Sequence, residues 1–370
     1  MLDEQRRKMF GNVAAAVDGR DPEGVHDMRV ATRRLRACLK TFAPWLDPDE
    51  QRRLASAVRD LTRALGRVRE LDVLRLRLAK LAERATPQRA LALEHVDARL
   101  ARRRRRARER MMACFADVRL DRLDARLERL HGQLEGAVAA GTVAQALNGA
   151  TAQATDAYTA VPHAAGAHDA PIAELLRTIA PTLLAESRQV TEPPLTAPPG
   201  TPAAAEELHA VRIAAKKLRY QLEILEPYLG ERGREAVRRL KALQETLGEF
   251  HDDTVLDDTL RAEIARASER GRALLAGELR RLRTTRRRVL ARDEREVRAA
   301  IERLREQGFV ALVADALAAA GVPLPTPDEA EPSVGSAATR EDAAAALGGE
   351  ASAQDARVGA ASEVTREASS

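Results

Sequence analysis

A basic segment that occurs twice, about half a chain apart, constrains the fold of this protein more than any other feature. The first copy, residues 25–42, reads VHDMRVATRRLRACLKTF, and the second, residues 208–225, reads LHAVRIAAKKLRYQLEIL. The copies align without a gap at an offset of 183 residues in a chain of 370. One structural unit has therefore been used twice, and we expect a fold with two similar halves.

A second, shorter match supports the duplication. Residues 65–74, LGRVRELDVL, correspond to residues 247–256, LGEFHDDTVL, at an offset of 182. A single gap between the two pairs of segments accounts for the difference in offset. The sequence therefore predicts two similar helical bundles, of about four long helices each, related by a pseudo-twofold axis.

The composition predicts that both halves are all-α. Charged residues make up 32% of the chain and aromatic residues 2%, and strand-forming runs of β-branched residues are missing. Asp-Pro pairs at 21–22 and 47–48 supply an N-cap followed by a first-turn proline, so helices should begin there. We predict further helices at about 2–17, 87–115, 119–140, 172–189 and 308–320, and long helices that fill 257–307.

We expect the helical body to span residues 1–322. It divides into a first repeat at about 1–140, a connector at 141–170 that is rich in Ala, Thr, Gly and His, and a second repeat at about 171–322. Within the second repeat, residues 191–204 contain five prolines and have no apolar period. That composition predicts a flexible loop.

The net charge of +5 is unevenly distributed. Nine acidic and three basic residues follow from Pro323 onward, a balance of −6, so that residues 1–322 carry +11. Residues 323–370 have almost no large apolar side chains, and we expect a disordered acidic tail that either solubilises the protein or competes for its basic surface. The positive body favours anionic partners. Two isolated cysteines, Cys38 and Cys114, and the lack of a signal peptide or a long apolar run predict a cytoplasmic protein without a membrane span.

Helical periodicity divides each basic segment into an apolar stripe and a basic stripe. At about 100° per residue, the apolar side chains lie on one arc of the helix and the cations on the neighbouring arc. Few acidic residues occur at i±4, so intrahelical ion pairs do not neutralise the cations. The basic stripe of the first copy consists of His26, Arg29, Arg33, Arg36 and Lys40, and that of the second copy consists of His209, Arg212, Lys216 and Arg219.

A basic stripe on a single surface helix is often a solvated face, but its repetition beside a packed stripe favours a polyanion-binding surface. Arginine suits phosphate because its planar fork donates two parallel hydrogen bonds, and lysine acts as a mobile point charge. His26 and His209 either bind the polyanion in a protonated form or bond to nearby backbone groups. Lys40 aligns with Glu223, so the two stripes differ in charge at their ends.

Four further residues extend the candidate surface. Arg59 and Arg63 lie one helical turn apart, and Lys241 aligns with Arg59 at the same offset of 182 residues as the shorter match. Tyr220 lies at the border of the second basic stripe and offers a hydroxyl donor. The pattern leaves open the contact roles of Arg34, Lys217, Arg69 and His251.

The two copies of H-x-x-R-[VI]-x-x-[RK]-[RK]-L-R, each followed by L-G-x-x-[RH]-[DE], resemble the CHAD domain, the conserved histidine α-helical domain. The resemblance covers about residues 1–322. It implies two four-helix bundles with pseudo-twofold symmetry and a basic channel or surface that binds inorganic polyphosphate, associated with polyphosphate granules in bacteria. By position, it implies ligand contacts for His26, Arg29, Arg33, Arg36, His209, Arg212, Lys216 and Arg219.

The residues of the candidate surface bear on three classes of function. Non-enzymatic binding of polyphosphate fits a surface with many cations and few aromatic residues, because this polyanion has no bases to read. Double-stranded nucleic acid is the alternative ligand, since an Arg-rich helix can enter a groove, whereas single-strand binders need aromatic platforms. A phosphohydrolase is disfavoured because His251-Asp252 is only a dipeptide match and the seven histidines form no ligand pattern. We therefore predict a non-enzymatic polyphosphate-binding protein without catalytic residues, metal or cofactor, located on granules with granule proteins as further partners.

Overall fold

The regular secondary structure of the described residues is helical, as the composition predicts. The computed structural model describes residues 1–139 and 170–323, and no strand occurs within them. The helices, in chain order, are α1 (Leu2–Gly11), α2 (Val13–Asp18), α3 (Pro22–Thr41), α4 (Pro48–Ala82), α5 (Pro87–Val118), α6 (Leu120–Ala139), α7 (Ala170–Thr191), α8 (Pro202–Glu269), α9 (Ala273–Glu306) and α10 (Phe309–Ala319), with a short 3₁₀ turn at Ala43–Trp45.

Two predicted segments fall outside this range. The connector at 141–170 lies outside the described residues except for Ala170, which begins α7. The predicted tail lies outside them beyond Pro323. Within the two described ranges, no helix combines the length and apolar character that crossing a bilayer requires.

Side-chain caps fix the two helix starts that the sequence predicted. The Asp21 carboxylate accepts a hydrogen bond from the Glu23 backbone N–H at 2.9 Å, at the start of α3. The Asp47 carboxylate accepts one from the Glu50 backbone N–H at 2.8 Å, at the start of α4. Each cap satisfies a backbone donor that the first helical turn leaves unpaired, so both predicted starts are confirmed.

Two predicted helical regions are interrupted. The predicted helix at 2–17 is broken at Asn12, whose φ of −94° and ψ of 0° are not helical and whose side chain donates to the Lys8 carbonyl at 2.8 Å. Asparagine side chains compete with the helical backbone in this way. The region 257–307 is divided after α8, where Gly271 has a φ of +66° that ends a helix readily.

The longest described helix, α8, changes direction once. Gly230 has φ 61° and ψ −150°, a conformation that is nearly confined to glycine, and Pro227 precedes it. The helix therefore has a first segment, 202–229, that carries the second basic stripe, and a second segment, 231–269, that carries the shorter match.

The apolar stripes pack into two hydrophobic cores. The first core is built mainly from α1, α3, α4, α5 and α6, and the second from α7, α8, α9 and α10. Fully buried side chains include Leu35 and Met111 in the first core and Leu218 and Phe309 in the second. The basic segments are thus anchored by their apolar stripes, which leaves the basic stripes at the junction of the helices.

The first core is not completed by the first half of the sequence alone. Leu256 and Leu260 of α8, together with Leu279 and Leu282 of α9, are buried in it. Ile224, from the first segment of α8, is buried there as well. The pseudo-twofold relation between the bundles stays a prediction from the duplicated sequence.

The proline-rich loop at 191–204 is held by carboxylates of neighbouring helices. Glu207 accepts hydrogen bonds from the backbone N–H groups of Thr196 at 3.1 Å and Ala197 at 3.0 Å. Glu294 accepts one from the backbone N–H of Gly200 at 2.8 Å. The sequence predicted a flexible loop from its five prolines and lack of an apolar period, but these hydrogen bonds and the packing of Leu195 against the second core restrain it.

Candidate anion-binding site

The two basic stripes meet because α3 packs against the first segment of α8. The guanidinium carbon of Arg33, on α3, lies 5.6 Å from the ring centroid of Tyr220 on α8. Arg219 lies 4.6 Å from the centroid of the same ring. Tyr220 is only 8% exposed, and its ring contacts two guanidinium groups, whereas the hydroxyl donor that the sequence suggested stays a prediction. Stripes that are half a chain apart in sequence thus form one surface.

The centre of this surface is a group of four cations, hereafter the cation cluster, formed by Arg29 and Arg33 of α3 with Arg212 and Lys216 of α8. Burial, reinforced by the charges of Arg33 and Arg212, lowers the pKa of Arg29 to about 10. Burial and the three arginine charges lower the pKa of Lys216 to about 5. Each positive charge therefore disfavours the charged form of its neighbours, so Lys216 is uncharged near neutral pH, and an anion placed among the four side chains would favour their charged forms.

Arg29 is placed against α4 by a glycine. A Cβ atom at Gly66 would lie 3.3 Å from Nε of Arg29, so the absence of a side chain makes room for the guanidinium. This Nε is buried and has no hydrogen-bond partner among the residues described. An unmade hydrogen bond of this kind costs about 1–3 kcal/mol, which an anionic acceptor would recover. Sequence reasoning missed Gly66, although the repeated Leu-Gly dipeptide at 65–66 marked the position.

Two histidine rings stand beside the cation cluster in the second repeat. Nδ1 of His209 lies 3.3 Å from Nδ1 of His251, and the ring centroids are 4.9 Å apart. Burial, followed by the charges of Arg212 and His209, lowers the pKa of His251 to about 3. His251 is therefore neutral at physiological pH, and its contact role, which the sequence left open, is to pack against His209.

The corresponding position in the first repeat places Arg69 near His26. Burial, followed by the charge of Arg69, lowers the pKa of His26. Nη1 of Arg69 forms an ion pair with Glu23 at 3.3 Å. Ligand atoms of Glu23, His26 and Asp27 lie within 4.8 Å of one another and have the chemistry of a divalent-cation site, but a guanidinium paired with one of them opposes cation binding. The prediction that the protein holds no metal stays a prediction.

One end of the basic surface is neutralised by Glu223, the residue that aligns with Lys40. Its carboxylate lies 2.5 Å from Arg219, 3.5 Å from Arg34 and 3.9 Å from Lys241. The Glu223 side chain is only 12% exposed, so these contacts are largely shielded from water. Arg34, whose role the sequence left open, therefore contacts an internal carboxylate. Glu223 occupies, among three cations, the kind of position that a phosphate oxygen would take.

The predicted binding residues that lie towards solvent contribute less to the surface between α3 and α8. Lys40 is exposed and forms an ion pair with Glu186 at 3.1 Å. Arg59 and Arg63 are exposed on α4, where each bonds to a side chain one turn away on the same helix. Arg36 and Lys217 are also exposed. The structure thus brings together His26, Arg29, Arg33, His209, Arg212, Lys216, Arg219 and Tyr220, with Arg36, Lys40, Arg59, Arg63 and Lys241 nearer to solvent.

Several other arginines are paired with buried carboxylates, and they are therefore structural. Asp253 is buried and pairs with Arg77 of α4 and Arg286 of α9. Arg99 pairs with the buried Glu263 at 3.0 Å. The sequence allowed Asp253 either to orient arginines or to cap a helix, with capping preferred, and the structure shows the pairing with arginines. Their neutralisation distinguishes them from the cation cluster, where arginine and lysine side chains face one another.

Comparison with known proteins agrees with the fold and the motif. The family model of the CHAD domain matches residues 1–261, more than half of the chain. The crystal structure of the CHAD domain from the plant Ricinus communis is 25% identical, with a TM-score of 0.51, and the alignment covers 81% of this chain and 89% of that chain. PptA from Streptomyces chartreusis is 20% identical and similar in fold, with a TM-score of 0.51 over 82% of this chain and 96% of that chain.

Among curated proteins, none matches the chain. The family assignment accordingly rests on the domain model and is consistent with the solved structures. It also agrees with the paired motif, whose histidines and cations occupy the junction of α3 and α8. The chain belongs to the CHAD domain family.

Proposed function

We propose that the protein binds inorganic polyphosphate, without catalysis, through the basic surface between α3 and α8. The observation that carries this proposal is the cation cluster, in which two stripes from distant parts of the chain bury mutually repelling charges. A linear polyphosphate has a negative charge at every phosphate, so it can contact several of these cations at once. Membership of the CHAD domain family supports the same ligand.

The geometry favours a polyanion without bases. Tyr220 is 8% exposed and its ring contacts two guanidinium groups, so little of the ring is open for a base to stack on. Arginine and lysine dominate the surface, and both bind phosphate oxygens. The proposed contacts are His26, Arg29, Arg33, Arg36, His209, Arg212, Lys216 and Arg219, with Lys40, Arg59, Arg63 and Lys241 as outer cations.

The first test is a titration of the full chain with long-chain polyphosphate at roughly physiological salt. Duplex DNA and single-stranded RNA serve as competitors. We expect tight polyphosphate binding that neither nucleic acid displaces when present in excess. Equal or tighter binding of duplex DNA would instead assign the basic surface to nucleic acid and end the polyphosphate proposal.

A double substitution tests the site itself. Replacing Arg29 and Arg212 with Gln should weaken polyphosphate binding by roughly hundredfold, because each arginine supplies charged hydrogen bonds. By analogy with single-stranded nucleic acid, the slope of log K against log salt should become shallower by about 0.7 per lost contact. The control is Arg103→Ala with Arg106→Ala, two exposed positions on α5 that remove the same charge. Equal losses in both double variants, with both folded by circular dichroism, would refute the assignment of the site.

We further propose that the protein associates with polyphosphate granules through this surface. A fluorescent fusion should form foci in bacterial cells that make polyphosphate and should be diffuse in cells that lack the polymer. The Arg29→Gln, Arg212→Gln variant should be diffuse in both cell types. Foci that persist without polyphosphate would show recruitment by another granule component.

A further inference from the structure

A second cationic site lies where α5 ends and α6 begins, on a different part of the first bundle. A cleft of about 490 Å³ opens there, lined by four arginines: Arg53, Arg119, Arg122 and Arg126. Its volume falls within the range of small-molecule sites in proteins. Three α4 residues line it, Glu50, Arg53 and Ala57, and Ala57 precedes Gly66 of the basic surface by nine residues, about 14 Å along the helix.

One carboxylate partly neutralises this cleft. Glu50 accepts two hydrogen bonds from Arg126, at 2.9 and 2.8 Å, and one from Arg53 at 3.3 Å. The hydrogen bonds and charge of Arg126, with those of Arg53, lower the pKa of Glu50, so the acid is ionised. Four arginines with one ionised glutamate leave an excess of about three positive charges in the lining. Within residues 1–139 and 170–323, no side chain forms an ion pair with Arg119 or Arg122.

The backbone at Arg119 is the second feature of the cleft. This residue has φ 51° and ψ 75°, the left-handed conformation that ends α5, and elsewhere in the described ranges a positive φ occurs only at glycine. A glycine normally fills such a helix end, and a side chain there costs about 1 kcal/mol or more. Backbone strain of this kind is typical of functional sites, and here it occurs at an arginine that lines the cleft.

The remaining lining of the cleft is apolar. Ala57, Val118 and Leu123 supply this part, and Leu123 is buried in the first core. These three residues form an apolar floor, which a site for inorganic phosphate alone would not need. A site for an apolar ligand would not need arginines that lack an ion pair. We propose that the cleft binds a small organic phosphate of nucleotide size, with its phosphates against Arg119 and Arg122 and its organic body on the apolar floor.

Calorimetric titration of the full chain with ATP tests this site. The Arg119→Ala, Arg122→Ala variant should bind ATP at least roughly tenfold more weakly, because two charged donors are lost. The Arg103→Ala, Arg106→Ala variant, with the same change in net charge, should bind ATP as the unmodified protein does. Both variants should keep their affinity for long-chain polyphosphate, which separates this site from the basic surface.

Two further measurements make the outcome decisive. Ala57→Leu fills the floor without changing charge, so it should weaken ATP binding while leaving polyphosphate binding and the melting temperature nearly unchanged. In the unmodified protein, saturating polyphosphate should leave ATP binding in place. Full displacement of ATP by polyphosphate, or equal ATP affinity in the Arg119→Ala, Arg122→Ala variant, would overturn the proposal, whether or not polyphosphate itself binds as proposed.

Discussion

Polyphosphate binding should take up a proton at Lys216. In the free protein this lysine faces Arg29 and Arg33 of α3 and Arg212 of its own helix, while Asp252 of the second segment of α8 acts in the opposite direction. Burial and the three arginine charges lower its pKa to about 5 from the ordinary value of 10.5. At pH 7.5 Lys216 is therefore mostly uncharged. A phosphate oxygen beside the amine would favour its protonated form and raise the pKa again.

The direction of the pH effect follows from the two pKa values. The pKa of Lys216 is higher in the complex than in the free protein, so both states are protonated below about pH 5 and affinity is constant there. Above pH 5 the free form loses its proton, and affinity falls by up to tenfold per pH unit until the pKa of the complex is reached. From pH 5.5 to pH 7.5 the loss approaches hundredfold, or about 2.7 kcal/mol.

Calorimetric titration with polyphosphate from pH 5.5 to pH 8, in buffers of different ionisation enthalpy, measures both quantities. We expect a slope of log K against pH that approaches −1 and an uptake that approaches one proton per protein molecule at pH 7.5. Lys216→Arg keeps its charge throughout this range, so the slope and the uptake should nearly disappear while binding persists. Lys216→Met should also lack the uptake and should bind more weakly at pH 5.5.

Two results would refute this reasoning. One is tight binding at pH 7.5 without proton uptake, which would mean that the phosphate does not reach Lys216. The other is an unchanged slope in Lys216→Arg, which would assign the proton to another group. His251, whose pKa is lowered to about 3, is the group to examine next, and His251→Gln separates its contribution.

Three shorter predictions concern single residues of the same surface. Glu223→Gln should raise polyphosphate affinity by roughly fivefold, because cations that now contact the carboxylate become available to phosphate; unchanged affinity in the titration would contradict this. Lys216→Met should stabilise the free protein in urea unfolding by about 1–4 kcal/mol, with a gain that shrinks as pH rises above 5, because the folded pKa lies below the unfolded one. Gly66→Ala should weaken polyphosphate binding several-fold by displacing Arg29. The control is Gly248→Ala, at the aligned position with open space around it, which should leave binding unchanged. Equal affinities of the two variants would show that Gly66 does not position Arg29.

Much of the site could be predicted because duplication and periodicity are properties of the sequence itself. The 3.6-residue period assigns Arg29, Arg33, Arg212 and Lys216 to the face beside the apolar stripe, and the repeat indicates that the two faces are equivalent. In the structure the apolar stripe of α3 is buried in the first core and that of the first segment of α8 in the second, and packing of the two helices brings the basic faces together. The period and the repeat identify these four residues without any knowledge of contacts between individual side chains.

The rest depends on packing between helices or helix segments. The ion pair of Arg34 with Glu223 joins α3 to α8, and no spacing within either helix indicates it. The close approach of Arg29 to Gly66 joins α3 to α4, and the contact of His209 with His251 joins the two segments of α8. Such contacts are set by how the helices pack against each other, which periodicity does not specify.

The burial of Leu256, Leu260, Leu279 and Leu282 in the first core has a consequence for folding cooperativity. A fragment that ended at the midpoint of the chain would lack these side chains, and the leucines and valines that they cover would face water at about 25 cal/mol per Å². Unfolding of α8 and α9 would likewise open the first bundle, so both bundles should melt in a single transition. The two halves of the duplicated sequence therefore form one folding unit. The first core is complete only when the second half of the chain has folded against it.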